Sequence, residues 1–171
     1  METSFDNYRL YEIDNLFQPD ECNNFVDIIE NKRMEQINNK IFKNQYRITF
    51  SDSWINQEIT ERLIPHNLTY SKKKFRVLND KIHYVKYYNG SYMQKHRDMY
   101  AKNNILSTLI IYLNDNYNQG ETYLYNPKMK TSLSICAKTG KGFVFPGSDI
   151  LHGCRKVVGI KKVLIVGLIF E

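Results

Sequence analysis

The C-terminal stretch VLIVGLIF, Val163 to Phe170, decides how the rest of this chain is read. Eight apolar residues in a row admit two readings, a membrane segment or a strand in a protein core. A helix needs about 20 apolar residues to cross a bilayer, so the run is too short for one and reads as a buried strand.

Outward from that strand, the second half of the chain repeats the pattern. The segments FRVL, KIHYVKYY, STLIIYLN, GETYLY, LSICAK and GFVFP are short and rich in aromatic and apolar residues. Turn-forming Asn, Gly, Asp and Pro separate them, and no helical period interrupts them. The first half differs. YRLYEI, Tyr8 to Ile13, alternates as a strand, and QPDECNNFVDIIENK then carries Pro19 at a first helical position with acids in the first turn. Cys22, Phe25, Val26 and Ile29 share one face of that helix. SDSWINQEITERLIP predicts a second helix, capped by Asp52 or Ser53, with Ile55, Ile59 and Leu63 as its apolar stripe and Pro65 as its stop. Trp54 is expected to pack on the sheet. Two helices ahead of a run of antiparallel-type strands predict an α+β protein, mainly β. The architecture is a small jelly roll or barrel with helices outside one sheet. Helical support is expected over residues 1–74 and the β core over 75–171, in one domain of 1–171, because 171 residues leave no room for a second.

Composition narrows the class. Hydrophobic residues make up 42% and aromatic residues 13%, which describes a packed chain and not a disordered one. METSFDNYRLYEIDN has no basic head followed by an apolar run, so no secretory signal is expected. Cys22, Cys136 and Cys154 are widely spaced, with no CxxC pair, which fits neither a disulfide framework nor a thiolate zinc site. The expected setting is a reducing cell interior, the cytoplasm, with no membrane association. A net charge of +6 favours acidic partners, nucleic acid among them, although Asn- and Lys-rich usage also follows from nucleotide bias in a gene.

YMQKHRDMY, Tyr92 to Tyr100, is the candidate site. On a strand, residues two apart share a side, so His96 and Asp98 can converge on one ion; taken alone the triplet is common by chance and a polar patch explains it better. His66, near a helix end, is expected at the surface, and His83 as an ordinary strand residue. His152 differs: it follows an apolar strand and a Pro-Gly turn in FPGSDILHG, where it can point inward at the mouth of a barrel. Two imidazoles and a carboxylate occupy one face of an octahedral iron(II) and leave adjacent positions open for small ligands.

In order, KYYNGSYMQKHRD, STLIIYLN, GETYL, GFVFPGSDILHG and GIKKVLIV resemble the 2-oxoglutarate and iron(II)-dependent dioxygenases of the prolyl 4-hydroxylase type, over roughly residues 82 to 170. QPDECNNFVDII resembles that family's support helix. The resemblance implies a double-stranded β-helix in which His96, Asp98 and His152 hold iron(II) and act catalytically. 2-Oxoglutarate and dioxygen are the implied cosubstrates, and ascorbate the implied reductant of oxidised iron. The far carboxylate of 2-oxoglutarate needs a buried cation, which the family places two residues after a glycine. That rule selects Lys161 after Gly159, whereas the spacing from His152 in many relatives selects Lys162; Lys161 is the expected partner, because the VLIV register agrees with it and adjacent strand residues cannot both face inward. The resemblance further places Tyr87, Tyr112 and Thr122 in the oxoacid pocket, each with burial as plain core as the competing account. Gln119-Gly120 departs from the family's Gly-Gly turn. Arg97 is expected to face away from the metal.

The implied activity is hydroxylation of a peptidyl residue, most naturally proline, with a protein or peptide as partner and succinate as coproduct. The alternatives are oxidative demethylation of a nucleic-acid base and a jelly-roll binding module without catalysis. Residues 66–81, 101–104 (AKNN) and 126–132 are the expected substrate loops, and Lys72, Lys73 and Lys74 an exposed run.

Overall fold

The computed structural model describes residues 1–70, 73–98 and 105–170. Lys72, Met99, Tyr100 and the AKNN loop lie outside the described residues.

The strands are β1 (Glu2–Phe5), β2 (Tyr8–Ile13), β3 (Glu35–Ile37), β4 (Phe42–Phe50), β5 (Thr69–Tyr70), β6 (Lys73–His96), β7 (Ile105–Tyr112), β8 (Asn118–Gln119), β9 (Thr122–Asn126), β10 (Thr131–Ile135), β11 (Gly142–Phe145), β12 (Leu151–Cys154), β13 (Val157–Val158) and β14 (Lys161–Phe170). Helices α1 (Pro19–Glu30) and α2 (Ser53–Leu63) precede β6, and no other α-helix occurs among the described residues. Helix α1 starts where Pro19 requires no donor and where the Gln18 amide donates to Glu21 Oε2 at 2.7 Å. In α2 the cap is Asp52, whose Oδ1 accepts from the Ile55 amide at 3.0 Å.

All major strand pairings are antiparallel. One sheet runs β1-β2-β11-β7-β14-β6, with β4 and β3 continuing beyond β6. The other is formed by the last part of β6 with β12, β9 and β10. Two facing antiparallel sheets connected in this way form the jelly roll of a double-stranded β-helix. Strand β6 belongs to both sheets. It bends at Tyr88–Ser91, where the Tyr88 amide donates to Ser91 Oγ at 3.0 Å and that hydroxyl donates to the Asn44 carbonyl at 2.6 Å. Gly90 takes φ +86° in the bend, a conformation that costs a side-chain-bearing residue free energy.

Strand alternation sorts the core into two layers. Leu164, Val166 and Leu168 of β14, with Ile82 and Tyr84 of β6, pack against Cys22, Phe25 and Ile29 of α1 and Ile55, Ile59 and Leu63 of α2. Val163 of β14, with Val85, Tyr87, Ile110 and Tyr112, faces the barrel interior with Leu124, Phe145 and Cys154. The run VLIVGLIF is therefore apolar because helices cover one face of β14 and the opposite sheet covers the other. Ile55 and Ile59 are fully buried, and truncating either to Ala costs about 2–5 kcal/mol. A buried environment also pushes the Cys22 thiol up to about 11, so it stays neutral.

Three details differ from the sequence reading. The region before residue 75 is not only helical support: β1 and β2 extend one edge of the larger sheet and β4 the other. Within 66–81, β5 pairs with the start of β6, and residues from Lys73 onward are strand and not loop. Trp54 is 49% exposed and leans on Phe25 of α1, with centroids 5.8 Å apart, because it lies off the buried stripe of α2. Among the described residues no helix is long and apolar enough to cross a membrane.

Candidate metal centre and cosubstrate chamber

Strand pairing brings two distant histidines together. His96 ends β6, His152 lies in β12, and the two are direct register partners with ring centroids 4.4 Å apart. Asp98 follows two residues after His96, and its Oδ1 lies 3.5 Å from His96 Nε2 and 3.6 Å from His152 Nε2. The ligating atoms of all three residues lie within 4.8 Å of one another. Each imidazole is held through Nδ1, which meets the Gln94 carbonyl at 3.0 Å in His96 and the Ile150 carbonyl at 3.0 Å in His152. A carbonyl can only accept, so Nδ1 is the donor and Nε2 is the nitrogen turned to the centre.

Asp98 is fixed from two sides. Its amide donates to the Gly147 carbonyl at 2.9 Å, and its Oδ2 accepts from the Thr108 hydroxyl, which leaves Oδ1 directed at the histidines. A Cβ at Gly147 would sit 2.1 Å from Thr108 Oγ1 and 2.3 Å from Asp98 Oδ2, so the missing side chain is what admits the carboxylate. Burial alone would raise the Asp98 pKa, but contacts with His152, His96 and Thr108 outweigh it and hold the carboxyl well below its ordinary range. The donor set is thus two imidazole nitrogens and one anionic oxygen, which fits iron(II). Arg97 is exposed and turns away, donating from Nε to the Asp149 carbonyl at 3.0 Å. His66 is exposed, and His83 meets Thr49 Oγ1 at 2.7 Å, away from the centre.

Deeper in the barrel, Lys161 is 2% exposed and is the register partner of Tyr87. Its Nζ donates to the Gly120 carbonyl at 2.8 Å and lies 3.4 Å from both Thr122 Oγ1 and Cys154 Sγ. No carboxylate pairs with it among the described residues. The neighbouring Lys162 points the other way and reaches Glu30 of α1 at 3.3 Å. Alternation along β14 therefore places Lys161 inside and Lys162 outside. Tyr112 donates to Thr122 Oγ1 at 2.9 Å, and the Tyr87 hydroxyl lies 4.0 Å from Met93 Sδ. Burial raises the pKa of both phenols, so both stay protonated donors. Gln119 takes φ +56° and Gly120 φ +75°, so Gln119 adopts the left-handed turn that a glycine would accept at lower cost.

Four contributors escaped the sequence reading. Thr108 shares the inward face of β7 with Tyr112, which alternation within STLIIY could have indicated. Cys154 and Tyr117 carry no motif. Arg47 of β4 stacks over Phe42 at 5.0 Å, Phe42 meets the His96 ring edge-on at 5.8 Å, and the buried Arg47 Nε has no partner among the described residues.

Two histidines and an aspartate at one end of a double-stranded β-helix, with a buried cation farther in, define a metal-dependent oxygenase architecture. The sequence profile of the 2OG-Fe(II) oxygenase superfamily matches residues 82–170, and the chain belongs to that family. No curated protein matches the chain in sequence. Among solved structures, the viral collagen prolyl hydroxylase of Paramecium Bursaria Chlorella virus-1, in complex with 2-oxoglutarate, is similar at 20% identity with a TM-score of 0.67, over 94% of this chain and 95% of that one. A prolyl hydroxylase from Trichoplax adhaerens, in complex with a hypoxia-inducible-factor peptide, is similar at 12% identity and TM-score 0.71, over 94% and 82%. HygX from Streptomyces hygroscopicus, with nickel, 2-oxoglutarate and hygromycin B bound, is similar at 14% identity and TM-score 0.67, over 96% and 84%.

Proposed function

We propose that this oxygenase hydroxylates a peptidyl residue, proline in the first instance, while 2-oxoglutarate is decarboxylated to succinate. The observation that carries the reading is Lys161, a buried ammonium with no carboxylate partner on the same barrel interior as the His-Asp-His cluster. A buried charge is costly unless an anion meets it, and the far carboxylate of 2-oxoglutarate is that anion.

His96 and His152 would hold iron through Nε2 and Asp98 through Oδ1. Iron(II) bound there supplies chelation of the oxoacid and activation of dioxygen. The chain's own residues do the rest. The carbonyls of Gln94 and Ile150 keep both imidazoles in the ligating tautomer, and Thr108 holds the carboxylate in place. Lys161 receives the far carboxylate, with Thr122 and Tyr112 beside it as hydroxyl partners and Tyr87 as a wall. Ascorbate serves as reductant for oxidised iron in this reading. Support for a peptidyl substrate comes from the likeness to the viral and Trichoplax prolyl hydroxylases over 94% of this chain.

The test is succinate formation by purified protein supplied with iron(II), 2-oxoglutarate and ascorbate. Proline-containing peptides, free amino acids and methylated oligonucleotides are compared as substrates. Peptide-stimulated turnover that disappears in His96→Ala is expected. Equal turnover by wild type and His96→Ala would remove the enzyme reading, and stimulation by methylated oligonucleotide alone would replace the substrate.

A further inference from the structure

Tyr117 lies in the link between β7 and β8 and leans over the same end of the barrel as Lys161. Its ring centroid is 6.0 Å from Lys161 Nζ, against 5.5 Å for Tyr87 and 5.4 Å for Tyr112, so three aromatic rings surround the ammonium. The space Tyr117 occupies is left by Gly159, where a Cβ would come within 3.3 Å of the tyrosine's own Cβ.

The hydroxyl is buried and has no hydrogen-bond partner among the described residues. A buried hydroxyl without a partner is unfavourable by roughly the worth of the bond it lacks, and such groups in folded proteins call for an explanation. Packing alone does not supply one, because a phenylalanine would fill the same volume without a stranded donor. The neighbourhood does. The ring packs against the cluster that contains Tyr87, Tyr112 and Cys154, all of the chamber, with Lys161 Nζ 6.0 Å from its centroid. Burial, the largest influence, keeps the phenol protonated and so a donor. A carboxylate offers two oxygens and about four acceptor sites, more than one ammonium can fill.

We propose that Tyr117 is a further anchor for the far carboxylate of the cosubstrate, its phenol donating to that group alongside Lys161, Thr122 and Tyr112. The inference rests on the 2-oxoglutarate reading given above. It assigns a binding residue to a loop position that no motif marks. It also predicts that the chamber distinguishes a dicarboxylic oxoacid from a monocarboxylic one by more than the lysine alone.

Tyr117→Phe retains the ring and removes only the hydroxyl. With manganese(II)-loaded protein under anaerobic conditions, calorimetric titration with 2-oxoglutarate should give a Kd raised roughly tenfold or more, the scale of one hydrogen bond to a charged group. Affinity for 2-oxobutanoate, which lacks the far carboxylate, should stay at the wild-type value, as should manganese affinity. An unchanged Kd for 2-oxoglutarate overturns the inference. Equal weakening toward both oxoacids also overturns it, because the loss would then come from a disturbed chamber. Lys161→Ala separates the two levels of the argument. If Lys161→Ala weakens 2-oxoglutarate binding and Tyr117→Phe does not, the anchor alone is wrong. If wild type does not bind 2-oxoglutarate, or binds it no better than Lys161→Ala, the cosubstrate reading fails and takes the anchor with it.

Discussion

His96 and His152 are register partners on antiparallel strands, and the pairing of β6 with β12 holds their rings 4.4 Å apart. Main-chain hydrogen bonds thus set the spacing of the two nitrogen ligands before any ion arrives. A candidate metal site of this kind is preorganised.

Manganese(II) or iron(II) should raise the Tm of the wild-type protein, because an ion that binds only the folded state stabilises it in proportion to the logarithm of its concentration over Kd. His96→Ala and His152→Ala should abolish that rise in a thermal melt while leaving the metal-free Tm within a few degrees. A wild-type Tm that ignores the metal would contradict the assignment.

Support of Asp98 is the next quantity to measure. Thr108→Val removes the hydroxyl that bonds Oδ2, and metal affinity should fall roughly tenfold to a hundredfold, the usual loss for a residue that orients a ligand. Gly147→Ala inserts a methyl group 2.3 Å from the same oxygen and should cost more than Thr108→Val. Calorimetric titration with manganese(II) ranks the two, and the reverse order would mean that the loop simply gives way.

Lys161 and Lys162 are adjacent in sequence and opposite in environment. Lys161→Ala should raise the 2-oxoglutarate KM at least tenfold, whereas Lys162→Ala should leave it unchanged and cost at most about 1 kcal/mol through its partly exposed pairing with Glu30. Steady-state kinetics against 2-oxoglutarate decides, and equal effects would show that the strand register has been misread.

Glu30 ties α1 to the larger sheet by accepting from Tyr84, Lys86 and Lys162. Burial would raise its pKa, but these three partners outweigh burial and lower it below the ordinary value. A carboxyl whose folded pKa is depressed stabilises the fold above its unfolded pKa of about 4.3, and that stability is lost as pH falls through the folded value. Wild-type Tm should therefore drop below about pH 4, and Glu30→Gln should start lower at neutral pH and decline less in acid. Parallel Tm curves for the two proteins would rule out this contribution.

Much of the site could be read from local pattern. His96 and Asp98 share a strand side, His152 follows a Pro-Gly turn, and Lys161 rather than Lys162 continues the inward parity of Val163, all consequences of a two-residue repeat. Arg47 and Tyr117 were not legible, because their importance depends on which distant strand or loop lies opposite them, and Thr108 was legible as an inward-facing residue but not as the partner of Asp98. Asp98 meets Thr108 only because the Gly147 loop leaves room between them. Trp54 failed for a related reason: aromatic character marks a residue for packing, but its position off the Ile55-Ile59-Leu63 stripe put it at the surface.

The bend in β6 has a geometric consequence. One strand carries both Tyr87, opposite Lys161, and His96, opposite His152, and the chain separations 87 to 96 and 152 to 161 are equal. The His96–His152 end and the Lys161 end of the barrel are thus joined by continuous backbone on two sides, with the Tyr88–Ser91 bend in one of them. On the proposed reading the barrel acts as a gauge, and a molecule that must touch both ends has to match its span as well as its chemistry.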